Sequence, residues 1–161
     1  IIFSGVWDNS LENQNDGNSV EDVYEVGVDN IVLHVPYDMV LLTGEEIANY
    51  FSESYMNTYE CIAISADYEK MFLLFTDEKS NYETDYTAEE YLKMAMEDDE
   101  IPIEEYTFNG HVFYGVTIES ENSEGKEFLT TNCVYEAEDK FICLSFYNPK
   151  DDTIDMVSVI Q

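Results

Sequence analysis

Alternation of apolar and polar residues predicts β-strands along much of the chain. Residues 31–35 alternate, and Pro36 ends the pattern as is typical of a strand boundary. Residues 61–78 predict two further strands joined by a tight turn at 67–70. The second of these, 71–75, is apolar on both faces. We therefore expect the sheet that contains it to be covered on both sides.

The strongest hairpin signal is the pair Asn109-Gly110, because both central residues of such a two-residue turn adopt positive φ. It separates two strand-like runs and places His111 at the first position of the second strand. Two more alternating runs follow with short turns between them. The segment 103–147 therefore predicts four consecutive antiparallel strands in a meander.

Two segments carry the spacing of a helix N-terminal capping box, in which Ser or Thr precedes Glu by three residues. The pairs are Thr43 with Glu46 and Thr87 with Glu90, and in both segments apolar residues then recur on one helical face. The acidic run 97–100 puts negative charge at the C-terminal end of the second helix, which is its unfavourable end. We expect that helix to end there.

The C-terminal segment predicts a last helix, with Asn148 as its N-cap and Pro149 at its first position. Long antiparallel strands that are apolar on both faces need helices packed against the sheet. We therefore predict an α+β fold, with a single antiparallel sheet of six to seven strands flanked by about three helices. Residues 1–29 are polar and predict a partly flexible leader, which leaves residues 30–161 as the α+β domain.

Net charge is the unusual property of the composition. The 161 residues contain 36 acids and 6 bases, for a formal net charge of −30, and every base is a lysine. Without arginine the chain lacks the bidentate clamp that phosphate groups favour, and most of the lysines fall in predicted turns rather than in a basic stripe. The charge argues against nucleic acid and anionic membranes as partners. It permits a cationic partner, or serves only to keep a secreted protein soluble.

Residues capable of catalysis are few and lack a motif. The two histidines, His34 and His111, lie in predicted strands without a local partner pattern. Carboxylate pairs carry no information in a chain with 36 acids, and no phosphate-binding or dinucleotide-binding glycine pattern is present. We expect a protein that is not an enzyme, with no catalytic residue and no cofactor-binding residue.

Metal sites are also not indicated by the sequence. The segment ENQNDG at 12–17 lacks the first two ligands of a calcium loop, at Glu12 and Gln14, and Val23 stands where the loop needs its last Glu. No pair of cysteines has zinc-site spacing. We expect no metal-binding residue, although an irregular calcium site on the acidic surface stays open.

The three cysteines, Cys61, Cys133 and Cys143, lie inside apolar stretches. Cys133 and Cys143 are symmetric about residue 138, so an odd-length turn would place them opposite each other on adjacent strands. We expect free, buried thiols even so, because a flat cross-strand pair seldom suits disulfide geometry.

Tyr82, Tyr86 and Tyr91 raise the question of an exposed aromatic platform for a carbohydrate or a protein. We favour the alternative that Tyr86 and Tyr91 belong to the core or its rim and that Tyr82 is a loop residue, since single exposed aromatic side chains are common on protein surfaces.

The segments NIVLHVPYDMVLLTGEEIANYF, TAEEYLK, YTFNGHVFYGV and FICLSFYNP together resemble uncharacterised secreted lipoproteins of Firmicutes with a PsbP-like fold, also called Mog-type. The resemblance extends from about Gly5 to the C-terminus. It implies a PsbP-like sandwich on the cell surface, held by a lipid on a cysteine upstream of this chain. It implies no known reaction, and it transfers no contact residue.

Two functional interpretations follow. The first is a non-catalytic extracellular binding or accessory domain of a cell-surface lipoprotein, whose partner is an unidentified protein or small ligand. The second is an acidic inhibitor or immunity-type protein that binds a basic enzyme by charge complementarity. The first predicts acids on all surfaces, whereas the second predicts one face that carries most of the charge.

Added salt should stabilise this protein. A net charge of −30 on one domain costs stability through self-repulsion, and 0.1 M salt reduces the screening length to about 10 Å. We expect the melting temperature to rise between low and moderate sodium chloride, with calcium adding only a weak, gradual increment at matched ionic strength. A saturable rise at micromolar calcium would instead reveal a specific site, because a ligand that prefers the native state stabilises it by mass action.

Overall fold

The computed structural model of the protein describes residues 22–161. The strands of this part are β1 (Asp22–Glu25), β2 (Val32–Val35), β3 (Met39–Thr43), β4 (Cys61–Ser65), β5 (Met71–Glu78), β6 (Glu104–Phe108), β7 (His111–Glu121), β8 (Glu127–Glu136) and β9 (Lys140–Pro149). Its helices are α1 (Glu45–Tyr50), α2 (Glu53–Thr58), α3 (Ala88–Met96) and α4 (Met156–Val159). None of the helices in this range has the length and apolar character needed to cross a membrane. Of the leader predicted over 1–29, residues 1–21 lie outside the described residues, and the rest contains β1.

One antiparallel sheet organises the domain. Seven strands pair in the order β3-β4-β5-β9-β8-β7-β6, and every neighbouring pair is antiparallel. The four strands from β6 to β9 form the predicted meander, although β9 also pairs with β5 and so joins the two halves of the sheet. The prediction of an α+β fold with a six- to seven-stranded antiparallel sheet is confirmed.

The strand predicted at 31–35 exists, but it is not part of this sheet. As β2 it pairs with β1 in a separate two-stranded sheet. The chain then reverses just after Pro36, where the amide of Met39 donates to the Pro36 carbonyl at 2.9 Å, and β3 forms the edge of the main sheet. The sequence analysis missed β3, whose side chains are buried or half-buried at all five positions.

The two faces of the main sheet are covered by different elements. On one, the hairpin face, the two-stranded sheet and the C-terminal segment bury a continuous core around Phe72, Phe113 and Phe146. The C-terminus closes this layer, because the backbones of Val32 and Gln161 exchange two hydrogen bonds of 2.9 Å. On the other, the helix face, two separate cores lie under the helices: α1 and α2 cover the β3–β5 side, and α3 covers the β7–β9 side.

The hairpin predicted at Asn109-Gly110 is present. Both residues have positive φ, 50° and 83°, and His111 pairs with Phe108 directly across the turn. His111 therefore lies in the sheet, as predicted, and its position follows from the turn alone.

The two predicted capping boxes differ in outcome. At α3 the box is complete: the Thr87 hydroxyl accepts from the Glu90 amide at 3.2 Å, and the Glu90 carboxylate accepts from the Thr87 amide at 2.9 Å. At the first helix, Glu46 accepts from the Thr43 amide at 3.2 Å, but Gly44 is the N-cap. This segment is also broken into α1 and α2, because Ser52 adopts an extended conformation and caps a second helix.

The prediction of a helix that begins at Asn148 and Pro149 is wrong. Both residues continue β9 and pair with β8. The buried side chain of Asn148 does not cap a helix there; its oxygen accepts a hydrogen bond from the backbone amide of Ile154 at 3.1 Å. The helix that forms, α4, has only four residues and is capped by Asp155. Proline is tolerated in β9 because it is the last residue of the strand, where no further ladder donor is needed.

Gly115 in β7 provides a test of this packing. A Cβ at this position would lie 2.7 Å from a ring carbon of Tyr106, whose ring is fixed by stacking on Phe108 and by a hydrogen bond to Glu104. We expect Gly115→Ala to lower the free energy of unfolding by about 1–3 kcal/mol, the usual cost of overpacking. In a Tyr106→Leu background the same substitution should lower the free energy of unfolding by less. An equal cost in both backgrounds, measured by urea denaturation, would show that the ring is not the obstacle.

Candidate binding cleft

The helix face contains a cleft between α3 and the sheet. A cavity of about 190 Å³ is lined by residues that include Phe75 of β5, Leu92, Ala95 and Met96 of α3, Asn132 of β8 and Ser145 of β9. These six residues are called the α3 cleft below. Most of the side chains lining it are apolar, and the exceptions lie together on its floor. A mainly apolar depression with a few grouped polar atoms is the usual form of a ligand site.

The polar floor is a pair of neighbours in the sheet. Asn132 and Ser145 lie opposite each other on β8 and β9, and the Ser145 hydroxyl donates to the Asn132 carboxamide oxygen at 2.8 Å. Among residues 22–161, the partner of the Asn132 side-chain NH₂ is the Met96 sulfur at 3.9 Å, and a thioether is a weak acceptor. This amide can therefore donate a stronger hydrogen bond to a carbonyl oxygen that enters the cleft.

Asp77 at the end of β5 fixes α3 over the sheet. Its carboxylate accepts hydrogen bonds from the hydroxyl of Tyr91 in α3 at 2.7 Å, from the hydroxyl of Tyr82 at 2.5 Å and from the side-chain NH₂ of Asn81 at 2.9 Å. Tyr91 is 4% exposed and also stacks on Phe141, with ring centroids 4.2 Å apart. The wall of the cleft is thus fixed by both hydrogen bonds and ring packing.

The hydrogen bonds to Asp77 also set its ionisation. Burial tends to raise the pKa of this carboxyl group, but the hydrogen bonds from Tyr82, Asn81 and Tyr91 outweigh burial and hold the pKa below its ordinary value. Burial and the same carboxylate raise the pKa of Tyr91, so the phenol stays a donor. Asp77 is therefore an acceptor at neutral pH and has a structural role.

Tyr82, Tyr86 and Tyr91 form a packed cluster rather than an exposed platform. The ring of Tyr82 meets the edges of the other two at 5.7 and 5.9 Å, and all three belong to or border the core under α3. The structure agrees with the interpretation of Tyr86 and Tyr91 as core or rim, and Tyr82 is half-buried with them.

A different set of aromatic residues lies beside the cleft. Phe51, Tyr55, Tyr59 and Phe75 form a continuous row, with successive ring centroids 5.3, 5.6 and 6.0 Å apart. This aromatic row ends at Phe75, which also lines the α3 cleft. This row was not predicted, although the four-residue spacing of Phe51, Tyr55 and Tyr59 is that of neighbours on one helical face. In the structure Phe51 is the C-cap of α1, Tyr59 is the C-cap of α2, and Tyr55 lies within α2.

His111 has a structural position. Its Nε2 atom lies 2.8 Å from the carbonyl oxygen of Asp29, and its Nδ1 atom lies 3.3 Å from that of Phe108. Tyr135 donates to the Asp29 carboxylate and packs edge-on against the imidazole ring. The three side chains hold the loop after β1 against the β6–β7 hairpin, and no serine or cysteine approaches the ring in these contacts.

The three cysteines are free and buried. Cys133 and Cys143 are not opposite each other: Cys133 pairs with Leu144 and Cys143 with Val134, because Glu136 pairs with Phe141 and an even number of residues, 137–140, lies between these two. The two thiols therefore belong to the cores on opposite faces of the sheet. Burial raises the pKa of Cys61, Cys133 and Cys143 to about 12, so each stays protonated at neutral pH and is a poor nucleophile.

All six lysines lie within ion-pair distance of carboxylates in the described range. The pairs are Lys70–Asp152, Lys79–Glu136, Lys93–Glu89, Lys126–Glu69, Lys140–Glu78, and Lys150 with Glu119 and Glu127, at 2.7–3.8 Å. None of these pairs involves the acidic run 97–100 that follows α3. No group of three or more His, Cys, Asp or Glu side chains among residues 22–161 could hold a metal ion. The segment 12–17, considered as a calcium loop, lies outside the described residues.

Comparison with known proteins finds similarity of structure only. No protein-family model and no curated protein matches the chain. A crystal structure of a protein from Bacteroides thetaiotaomicron VPI-5482 is similar, with a TM-score of 0.53 and 10% identity over 81% of this chain and 44% of that chain. The present chain thus spans less than half the length of that protein. The solution structure of cyanobacterial PsbP (CyanoP) from Synechocystis sp. PCC 6803 has a TM-score of 0.46 and 16% identity over 84% of each chain. At these identities such likeness concerns the fold and says nothing about function.

The hydrogen bonds to Asp77 predict a pH-dependent contribution to stability. A carboxyl group with a lowered folded pKa stabilises the fold above its unfolded pKa, and this contribution is lost as the pH falls. We expect Asp77→Asn to lower the free energy of unfolding by about 1–3 kcal/mol at pH 7. The difference from wild type should shrink as the pH falls below about 4, where the unfolded carboxyl group takes up a proton, and through the lower pKa of the folded carboxyl group. Asp85→Asn, in the exposed loop before α3, is the matched control and should change little. A difference that does not depend on pH would contradict the role of the charge.

Proposed function

We propose that this protein is a non-catalytic extracellular binding or accessory domain of a cell-surface lipoprotein with a PsbP-like fold. The observation that carries the binding role is the α3 cleft, an apolar depression whose polar floor carries the Asn132 side-chain amide, held among the described residues by the weakly accepting Met96 sulfur. The extracellular location and the lipid anchor rest on the resemblance of the sequence segments to secreted lipoproteins. The confirmed antiparallel α+β sheet is the architecture that this resemblance implies.

The state of the reactive side chains supports a role without catalysis. The ring nitrogens of His111 face backbone carbonyl groups, and burial raises the pKa of the three thiols to about 12. An enzyme site needs a nucleophile or base whose pKa suits proton transfer near neutral pH. These groups are instead used for packing and for joining elements.

The distribution of charge supports a binding domain over an inhibitor of a basic enzyme. Exposed acids lie on α1, on α3, on the edge strand β6 and in the turns at both ends of the β7–β9 meander. An inhibitor that works by charge complementarity would concentrate them on one face. The dispersed arrangement is the one that the binding interpretation predicts.

A small neutral amide tests the binding role. N-butylacetamide has an alkyl chain for the apolar wall and a carbonyl oxygen for the Asn132 amide. In NMR titrations of the ¹⁵N-labelled protein, we expect saturable shifts at the backbone amides of 92–97 and at Asn132 and Ser145, with a dissociation constant in the millimolar range. Ala95→Trp should fill the cleft and abolish the shifts.

Ala66→Trp is the matched control for this experiment, because Ala66 is exposed in the β4–β5 turn away from the cleft. It should leave the titration unchanged. Shifts spread over the surface, or shifts that persist in Ala95→Trp, would refute the cleft as a binding site.

A further inference from the structure

The α3 cleft and the aromatic row form one continuous surface on the helix face. Phe75 belongs to both: it lines the cavity and stands at the end of the row that runs through Tyr59 and Tyr55 to Phe51. Tyr55 in the middle of this row is 41% exposed. An extended segment could therefore lie on the rings of Tyr55 and Tyr59 and place one side chain in the cleft.

The volume of the cleft limits what can enter it. Pockets for drug-sized molecules have about 300–1,000 Å³. The α3 cleft has about 190 Å³ and is open on one side. It suits a single side chain whose backbone remains outside. The long unbranched stem of lysine or arginine fits such an apolar slot and keeps its charged end near water.

The charge near the cleft favours a cationic side chain of a ligand over a neutral or an acidic one. Glu97 follows Met96 of the cleft directly, and the exposed residues 97–100 are all acidic. They surround the C-terminal end of α3, where the helix dipole adds further negative potential. Lys93 in the last turn of α3 lies 3.5 Å from Glu89 on the preceding turn, and none of the lysine ion pairs among residues 22–161 involves residues 97–100.

The aromatic row favours the same ligand chemistry. Aromatic faces attract lysine and arginine side chains, and this attraction grows when the pair is partly shielded from water. Phe75 and Tyr91 line the cavity itself, and Met96 offers an adaptable thioether. The cleft thus combines apolar and aromatic groups, and the acidic run begins at the residue that follows Met96.

Building on the proposed binding function, we propose that the α3 cleft and the aromatic row dock a basic, partly apolar peptide segment of a partner protein. One lysine or arginine stem of the segment enters the cleft, and its charged end lies toward residues 97–100. The neighbouring apolar residues of the segment lie on the rings of Tyr55 and Tyr59. An acidic segment is excluded by repulsion from the same carboxylates.

The test uses two peptides that differ in one charge. Acetyl-Leu-Lys-Leu-amide and the same peptide with acetyl-lysine are titrated against the ¹⁵N-labelled protein in 20 mM salt. We expect both to shift the amides of 92–97, Asn132 and Ser145, with the lysine peptide binding about tenfold more tightly. In 0.5 M sodium chloride this preference should disappear, because screening weakens the attraction.

Two charge variants separate local from overall charge. E97Q/D98N/D99N/E100Q should reduce the affinity for the lysine peptide to that for the acetyl-lysine peptide. E45Q/E105Q/E124Q/E138Q removes the same charge from exposed positions elsewhere and should keep most of the preference. Tyr55→Ala should weaken the binding of both peptides but leave the binding of N-butylacetamide unchanged.

The outcomes distinguish this inference from the proposed function. If both peptides and N-butylacetamide bind the cleft equally well in all variants, peptide charge selection is refuted while the binding function stands. If n-butylammonium binds as tightly as the lysine peptide, docking of a peptide segment is refuted in favour of a small cation. If no probe perturbs the cleft, both proposals fail.

Discussion

A central sheet that is apolar on both faces is the constraint on which the rest of the structure depends. β9 illustrates it: Ile142, Leu144 and Phe146 enter the core of the hairpin face, whereas Phe141 and Cys143 enter the core under α3. Neither set can be left in water, since burial of apolar area is the main source of stability. The short β1–β2 sheet and the C-terminal segment are therefore required on one side, and the helices on the other. The two N-terminal strands and the last residues of the described chain thus form one layer, although they are far apart in sequence.

The cleft follows from the unequal coverage of the two faces. On the hairpin face the covering layer is continuous, but on the helix face α1–α2 and α3 are separate units over opposite halves of a seven-stranded sheet. Beside α3, over β8 and β9, the sheet would expose an apolar strip if its residues there were all apolar. Asn132 and Ser145 occupy this position instead and satisfy each other in part. This hydrogen-bonded pair reduces the apolar area that the sheet exposes to water. It also gives the cleft a polar floor and therefore some capacity for selective binding.

Local signals in the sequence predicted local structure well. The Asn109-Gly110 turn, the α3 capping box and the end of α3 before the acidic run depend on residues within one or two turns of chain, and each is found as predicted. The failures depend on distant pairing. Asn148 and Pro149 have good helix-start chemistry, but extension of β9 along β8 outweighs it. β3 was missed because its edge position becomes apparent only when β4 is placed beside it.

The candidate site was less predictable than the fold for the same reason. The four-residue spacing of Phe51, Tyr55 and Tyr59 could have indicated three rings of the aromatic row, because such periodicity is visible in one sequence even though the chain breaks its helix at Ser52. The Asn132–Ser145 pair could not be recognised in that way. It requires the register of β8 on β9, which a one-residue slip at their turn would change, moving one partner to the other face. The same register separates Cys133 from Cys143, so a single turn determines both the floor of the cleft and the isolation of the thiols.

The few cations have a consistent placement in so acidic a protein. Lys79, Lys126 and Lys70 each join elements that are distant in the chain, to Glu136, Glu69 and Asp152. Exposed ion pairs stabilise little one by one. With 36 acids and 6 bases, however, each lysine also separates carboxylates that would repel one another where strands and turns converge. This use of the lysines leaves residues 97–100, which follow the cleft residue Met96 directly, without an ion pair among the described residues, although Lys93 lies in the last turn of α3. A cation on a partner would weaken the repulsion among the carboxylates of residues 97–100 as it binds. The repulsion that destabilises the fold at this end of α3 therefore favours cationic partners over neutral and anionic ones.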